Sequence, residues 1–150
     1  FTAYEFSEEM NPKKGHEIFF SEWDESILHL NDSEEKKLTK LLALRTRVYQ
    51  AIESERQKGD LKNALDANIE ITLRKDDFED LKEFKEEIHK LFIASSCELN
   101  IGKEEEIKIT KSNGQKCARC WHKVDELSDK NICSRCDNNI NGDGEDRGFF

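Results

Sequence analysis

Two Cys-x-x-Cys pairs constrain this chain more than any other feature of its sequence. Cys117 and Cys120 form the first pair, and Cys133 and Cys136 follow after a spacer of twelve residues. A Cys-x-x-Cys turn presents two thiolates at one edge of a tetrahedron, and a second such turn supplies the opposite edge. This spacing predicts a small module folded around one tetrahedral zinc ion (Zn²⁺) per chain.

Other roles for four clustered cysteines fit the pattern less well. Disulfides are rare in reducing compartments, and no basic and apolar signal segment indicates secretion. A thioredoxin-like redox site needs one Cys-x-x-Cys pair on a helix within a βαβ unit. A single iron ion uses the same four thiolates, so iron stays open as an alternative to the favoured zinc.

Basic side chains surround the predicted metal ligands. Lys116, Arg119, Lys123 and Arg135 each lie within three residues of a cysteine of the module. They can offset the negative charge that remains when four thiolates bind one divalent cation. The module holds few aliphatic residues, so we expect metal binding to supply most of its folding energy.

Three further side chains have both a structural and a functional interpretation. Trp121 either covers the metal site or stacks on an RNA base, with Arg119, Lys123 and Arg135 as candidate RNA contacts beside it. His122 is predicted to lie at the surface or near the metal without binding it, because four cysteines complete the ligand set. Cys97 is predicted to be a small buried hydrophobic residue.

The charge of the chain limits its contacts with polyanions. The net charge is −9, and residues 113–150 carry six basic and seven acidic residues, a net of −1, which leaves −8 for residues 1–112. Long-range repulsion of phosphates counts against a free-standing nucleic-acid binder and against a DNA partner. Any contact with RNA is therefore expected in the last quarter of the chain.

The residues before the cysteine module predict helices and strands. Apolar residues at helical spacing predict a helix over residues 33–58, capped by Asp32 with Glu35. A second helix is predicted over 77–91, capped by Asp76 with Glu79. Strands are predicted over 67–73, Phe92–Leu99 and Glu106–Thr110, a linker over Lys111–Gln115, and an extended segment over Ile18–Trp23.

These elements predict an α+β fold in three parts. Residues 1–60 form a helical segment, 61–112 a small mixed helix and strand subdomain, and 113–150 a zinc-ribbon or knuckle module. No apolar run is long enough to span a membrane, so no membrane partner is expected. The chain begins at Phe1 and we expect it to be a piece of a longer protein.

The cysteine module resembles a known family. The stretches "KCARCWHKVDEL" and "CSRCDNNINGDGEDRGFF" are similar to the carboxy-terminal zinc module of bacterial-type isoleucyl-tRNA synthetases, which are class I aminoacyl-tRNA synthetases. The residues that match the pattern of that module are Lys116, Cys117, Arg119, Cys120, Trp121, His122, Cys133, Arg135, Cys136, Asn139, Gly142, Gly144, Glu145 and Arg147.

The resemblance continues more loosely towards the amino terminus. Phe1–Phe6, Ser21–Glu25 and Leu41–Arg56 resemble segments of the helical anticodon-binding domain of the family. The whole synthetase attaches isoleucine to tRNA(Ile) with ATP in the cytoplasm. Its His-x-Gly-His and Lys-Met-Ser-Lys-Ser motifs are absent from this chain. The resemblance therefore implies a tRNA-binding piece with no catalytic residues and no bound ATP.

The partners implied by the resemblance are tRNA(Ile) and the rest of the synthetase chain, in a monomer. The alternative function is a zinc-stabilised module that binds protein and no RNA, which the net charge of −9 favours.

Overall fold

The computed structural model describes residues 2–10, 30–145 and 148, in two compact units. The first unit, Phe1–Glu34, contains helix α1 (Thr2–Met10), on which no residue is buried. Within the predicted helical segment 1–60, no individual helix was predicted before residue 33. The segment Ile18–Trp23, predicted to be extended, lies outside the described residues.

Helix α2 (Asp32–Lys58) confirms the long predicted helix but begins with a different cap. The Asn31 Oδ1 atom accepts hydrogen bonds from the backbone N–H groups of Ser33 and Glu34, both at 3.0 Å. The Glu34 carboxylate in turn accepts from the Asn31 N–H at 2.9 Å. The capping box therefore lies one residue earlier than the predicted pair of Asp32 and Glu35.

A three-stranded sheet forms the centre of the second unit, Glu35–Phe150. Strand β1 (Ala67–Leu73) lies between β2 (Ser96–Ile101), to which it is parallel, and β3 (Glu106–Lys111), to which it is antiparallel. Alternate residues of β1, from Ala67 to Leu73, are buried on one face. The predicted alternation of this strand is confirmed.

The helical connection between β1 and β2 differs from the continuous helix predicted over 77–91. It consists of α3 (Lys75–Leu81), a 3₁₀ turn over Lys82–Phe84, and α4 (Ile88–Phe92). Arg74 precedes α3 without a side-chain cap, so the predicted cap at Asp76 was wrong. The strand predicted from Phe92 begins at Ser96, because Phe92 ends α4 and is fully buried in the core.

One hydrophobic core joins α2 to the inner face of the sheet. Leu41, Leu44, Val48 and Ile52 form the buried stripe of α2, at the spacing expected for one helix face. They share a cluster with the inward side chains of β1 and with buried residues of α3 and α4. The predicted α+β class is confirmed. None of the described helices has the length and apolar composition needed to cross a membrane.

Candidate metal centre

A short hairpin carries the first cysteine pair. Strand β4 (Gln115–Lys116) pairs with β5 (Lys123–Val124) in an antiparallel register. The backbone of Gly114 lies so close to β5 that an added Cβ would stand 2.8 Å from the Val124 carbonyl oxygen. Glycine at this position therefore allows the linker to enter the hairpin.

The turn between the two hairpin strands holds Cys117 and Cys120. The Cys117 N–H donates to the His122 carbonyl oxygen at 2.9 Å, and the Trp121 N–H donates to the Cys117 carbonyl oxygen at 3.1 Å. Trp121 closes the turn with a left-handed backbone, at φ 68°. These bonds fix both cysteines on one tight turn, as the spacing predicted.

The second cysteine pair lies at the start of a helix. Cys133 precedes helix α5 (Ser134–Asn141), and Cys136 lies in the first turn of that helix. The Ala118 N–H donates to the Asn131 carbonyl oxygen at 3.0 Å, which ties this segment to the first turn. The predicted zinc-ribbon or knuckle module therefore contains one helix of eight residues.

The structure brings the four cysteine sulfur atoms together. All four lie within 4.8 Å of one another, and the Cys120 and Cys133 sulfurs are 3.7 Å apart. A tetrahedron with zinc–sulfur bonds of about 2.3 Å has edges of about 3.8 Å, so this sulfur–sulfur distance fits such a site. Three of the four cysteines are buried, and Cys120 is half-buried. The cluster can hold one metal ion.

The thiols of the cluster differ in acidity. Burial opposes ionisation of Cys117, but hydrogen bonds from the backbone at Cys120, Cys133 and Arg119 outweigh it and lower the pKa of Cys117 to about 6. Burial and bonds to neighbouring sulfurs raise the pKa of Cys120 to about 12. The fold therefore stabilises the thiolate of Cys117, whereas it disfavours the thiolates of Cys120 and Cys133 when no cation is bound.

Arg135 and His122 lie against the cluster. Burial disfavours the charge of Arg135, yet Glu145, 3.5 Å from its Nε atom, and the Cys120 thiol raise the pKa of the guanidinium. Burial and the charge of Arg135 lower the pKa of His122. Both ring nitrogens of His122 are buried without a partner in the described part of the chain, and its ring meets His89 edge to face at 6.1 Å.

Lys123 connects the cysteine module to the mixed subdomain. Its N–H donates to the Ser95 hydroxyl at 2.7 Å. Its ammonium group donates to the Ser112 carbonyl oxygen at 3.2 Å and lies 3.4 Å from the Asp66 carboxylate. Ser112, within the predicted linker, is itself buried. The residues between β3 and β4 are thus held by contacts with the mixed subdomain on one side and the cysteine module on the other.

An exposed aromatic and basic face lies beside the cluster. Trp121 is 58% exposed, and the Lys116 ammonium nitrogen lies 4.7 Å from the centroid of its ring. Arg119 is exposed and has no ion-pair partner among the described residues. A cavity of about 290 Å³ extends from Trp121 and Lys116 to Ile93, which is 53% exposed.

The structure thus divides the predicted RNA contacts into two pairs. Arg119 and Trp121 are exposed, whereas Lys123 and Arg135 are largely covered and make ion pairs within the chain. Lys116, predicted only to balance the charge of the metal site, belongs to the exposed face. The hairpin explains this placement, because it brings the residues flanking the Cys117–Cys120 turn together.

Sequence comparisons relate the chain to known enzymes. An isoleucine–tRNA ligase of Petrotoga mobilis is 37% identical over 151 residues, which covers 91% of this chain and 16% of the relative. The isoleucine–tRNA ligase of Dichelobacter nodosus is 28% identical over 155 residues, which covers 99% of this chain and 17% of that relative. The isoleucine–tRNA ligase of Onion yellows phytoplasma is 34% identical over 101 residues, which covers 66% of this chain and 11% of that relative. The chain is homologous to a segment of isoleucine–tRNA ligases.

This homology confirms the resemblance found in the cysteine module. No family profile matches the chain. The chain spans about a sixth of the length of the first two isoleucine–tRNA ligases. The homologous segment includes nearly the whole chain in both of these relatives.

Proposed function

We propose that the chain is the carboxy-terminal, tRNA-contacting segment of an isoleucine–tRNA ligase. In the whole enzyme it supports the attachment of isoleucine to tRNA(Ile) at the expense of ATP, and it contacts the anticodon side of the tRNA. The observation that carries this proposal is the exposed side chain of Trp121. The Lys116 ammonium nitrogen lies 4.7 Å from the centroid of its ring, and Arg119 is two residues away in the sequence. Unpaired RNA bases stack on such aromatic faces, and neighbouring cations meet phosphates.

A zinc ion bound by Cys117, Cys120, Cys133 and Cys136 would hold this face in shape. The short sulfur–sulfur distances and the burial of the site support a closed structural centre with four thiolate ligands. The ion would supply cohesion to the module and no reaction chemistry. In this account Lys123 and Arg135 act through the fold: Lys123 anchors the module, and Arg135 balances the charge of the thiolates.

The proposed domain limits are those predicted from the sequence. Residues 1–60 would end the helical anticodon-binding domain, 61–112 would form a junction subdomain, and 113–150 would form the zinc module. The catalytic motifs are absent from the sequence, so we expect no ATP–pyrophosphate exchange with isoleucine by this chain. Exchange above background would contradict the assignment.

Metal analysis tests the proposed zinc site. Elemental analysis of the purified chain should find one zinc per chain, and replacing any one of the four cysteines with serine should abolish stoichiometric binding. Iron in its place would give a coloured protein, because four-thiolate iron absorbs visible light whereas the zinc site does not. A cysteine module that folds with neither metal would contradict the site.

Replacing Trp121 tests the proposed RNA contact. Trp121→Ala should weaken binding of the tRNA(Ile) anticodon stem-loop by about 5- to 150-fold, the loss expected for one stacked base. Trp121→Phe should retain much of the affinity, and both variants should keep their zinc. Ile140→Ala is the matched control, because Ile140 lies in the same module and is 55% exposed.

A second outcome would favour the alternative function. If the zinc-loaded chain shows no salt-dependent binding to the stem-loop, the proposed RNA contact fails and the protein-binding alternative is favoured.

A further inference from the structure

A polar groove lies on the other side of the hairpin from Trp121. It encloses about 530 Å³ and is lined by Asn68, Thr110, Lys111, Ser112, Asn113, Gly114, Gln115 and Asp125. Gln115 and Lys116 are consecutive in β4, so their side chains point to opposite faces of the hairpin. Gln115 lines this groove, whereas Lys116 lines the cavity of Trp121. The two surfaces are therefore separate.

Hydrogen-bonding side chains of the groove are available to a ligand. Asn68 and Thr110 are directly paired across β1 and β3, on the face of the sheet opposite the core. Within the described part of the chain, no side-chain hydrogen bond or ion pair engages Asn68, Thr110, Lys111 or Asn113. Two amides and a hydroxyl thus line the groove with their bonding capacity unused, and Lys111, the last residue of β3, lines it as well.

The walls of the groove are held by contacts within the chain. The Ser112 N–H donates to the Asp66 carbonyl oxygen at 2.7 Å, and the Gly114 N–H lies 3.3 Å from the Ser112 hydroxyl that accepts its hydrogen bond. Gln115 donates to the Asp125 carbonyl oxygen at 3.4 Å. The loop that carries Asn113 is therefore fixed before any ligand binds, which lowers the cost of ordering it.

The charge of the groove points to a ligand that is rich in hydroxyl groups. Its lining contains one cation, Lys111, and one acidic residue, Asp125, so the formal charges cancel. Recognition would therefore depend on hydrogen bonds from amides and hydroxyls more than on attraction between charges. In RNA, the ribose 2′-hydroxyl both donates and accepts hydrogen bonds, and the adjoining phosphate can meet a single lysine.

We propose that this groove binds the ribose–phosphate backbone of RNA and reads its 2′-hydroxyl groups. Asn68 and Asn113 would bond to ribose hydroxyls, and Lys111 would meet one phosphate. This proposal rests on the proposed function, because it needs RNA as the partner. It adds a second contact that distinguishes RNA from DNA, which stacking on Trp121 does not do.

Substituting the sugar of the RNA tests the groove. The probe is the tRNA(Ile) anticodon stem-loop, compared with the same hairpin carrying 2′-deoxyriboses in its loop and adjoining stem. Amide chemical shifts of the zinc-loaded chain, followed by NMR during titration, give both dissociation constants even for weak binding. We expect the all-ribose hairpin to bind about 5- to 30-fold more tightly, the effect of one or two neutral hydrogen bonds.

Variants of the groove should remove this preference. The double variant Asn68→Ala/Asn113→Ala should bind both hairpins equally, whereas Asn100→Ala, an exposed asparagine outside the groove, should keep the preference. Lys111→Gln should reduce the slope of log affinity against log salt by about 0.7, as expected for one phosphate of a single strand. Lys103→Gln, at an exposed lysine between β2 and β3 and outside the groove, should leave the slope unchanged.

The outcomes separate this proposal from the proposed function. Trp121→Ala should weaken binding of both hairpins by the same factor and leave their ratio unchanged, because stacking does not involve the sugar. Trp121→Ala could have no effect while the double variant loses the preference for ribose. This result would support RNA binding in the groove and contradict stacking on Trp121. Equal binding of the two hairpins by the wild type, or an unchanged ratio in the double variant, would overturn the groove.

Discussion

Two apolar residues near the metal centre have backbone conformations that favour glycine. Ile93 ends helix α4 at φ 54°, and Trp121 ends the first cysteine turn at φ 68°. The left-handed region is unfavourable for bulky and β-branched side chains, and both side chains are exposed around the same cavity. Such strain is retained when the surrounding structure or a binding role requires it.

Replacing Ile93 with glycine should stabilise the protein. Ile93→Gly removes the left-handed strain, which costs roughly 1–2 kcal/mol, and sacrifices only a partly exposed side chain. We expect a gain of about 1 kcal/mol in the free energy of unfolding by urea. Ile101→Gly is the control: Ile101 is similarly exposed but lies in strand β2, so that variant should lose stability. A destabilised Ile93→Gly would contradict the strain.

Cys97 should be chemically inert in the folded chain. Cys97 is half-buried against the core, not fully buried as predicted, and this partial burial raises its pKa to about 12. A free thiol has a pKa of about 8.5, and only the thiolate reacts readily. After zinc removal at pH 8, iodoacetamide should modify the four module cysteines and spare Cys97, as mass spectrometry would detect. The stability that depends on a protonated Cys97 thiol is fully present below about pH 8.5 and is lost as the pH rises through 12. Rapid modification of Cys97 would show that its segment is open.

The sequence predicts the clustering of the four cysteines more directly than it predicts which basic side chains are exposed. Spacing along the chain predicts a four-cysteine cluster because a Cys-x-x-Cys turn is a local structure. The position of a basic side chain depends on distant residues: Lys123 is anchored by Asp66 and Ser95, and Arg135 lies beside Glu145. No local pattern separates these two residues from the exposed Arg119.

Among the elements, α2 provides the largest helical contribution to the core of its unit. The 3.6-residue period of apolar residues predicted the helix, but it did not distinguish the buried Leu44 from the exposed Leu42. The cap depended on a choice between the adjacent residues Asn31 and Asp32, both good capping residues. The break between α3 and α4 was missed because their apolar residues continue one helical pattern. Burial of both Leu81 and Phe92 against the sheet overrides that pattern.

Paired substitutions on α2 should separate its buried and exposed apolar faces. Leu44→Ala should cost about 2–5 kcal/mol of unfolding free energy, because Leu44 is only 3% exposed within the core. Leu42→Ala should change stability by no more than about 0.5 kcal/mol, since Leu42 is 50% exposed on the same helix. Urea unfolding checks both values. Equal losses would mean that α2 packs on a different face.

In the second unit, the hydrophobic core and the proposed metal centre stabilise different regions. The core cluster contains fourteen buried residues from Leu41 to Leu99, and the cysteine cluster contains one buried aliphatic residue, Ile132. Removing zinc should therefore unfold the module while the far-UV circular dichroism signal of α2 persists. Loss of most helical signal on chelation would show that the two regions fold as one cooperative unit.

In the proposed function, the four-thiolate centre maintains a surface that binds tRNA. The most direct measurement is the dissociation constant for the tRNA(Ile) anticodon stem-loop, determined with zinc bound and again after chelation. Because Trp121 and Arg119 lie in the turn that the cysteines hold, and Gln115 of the groove lies in the first strand of that hairpin, we expect affinity to fall at least about tenfold without zinc and to recover when zinc is restored. Equal affinity with and without zinc would contradict the account.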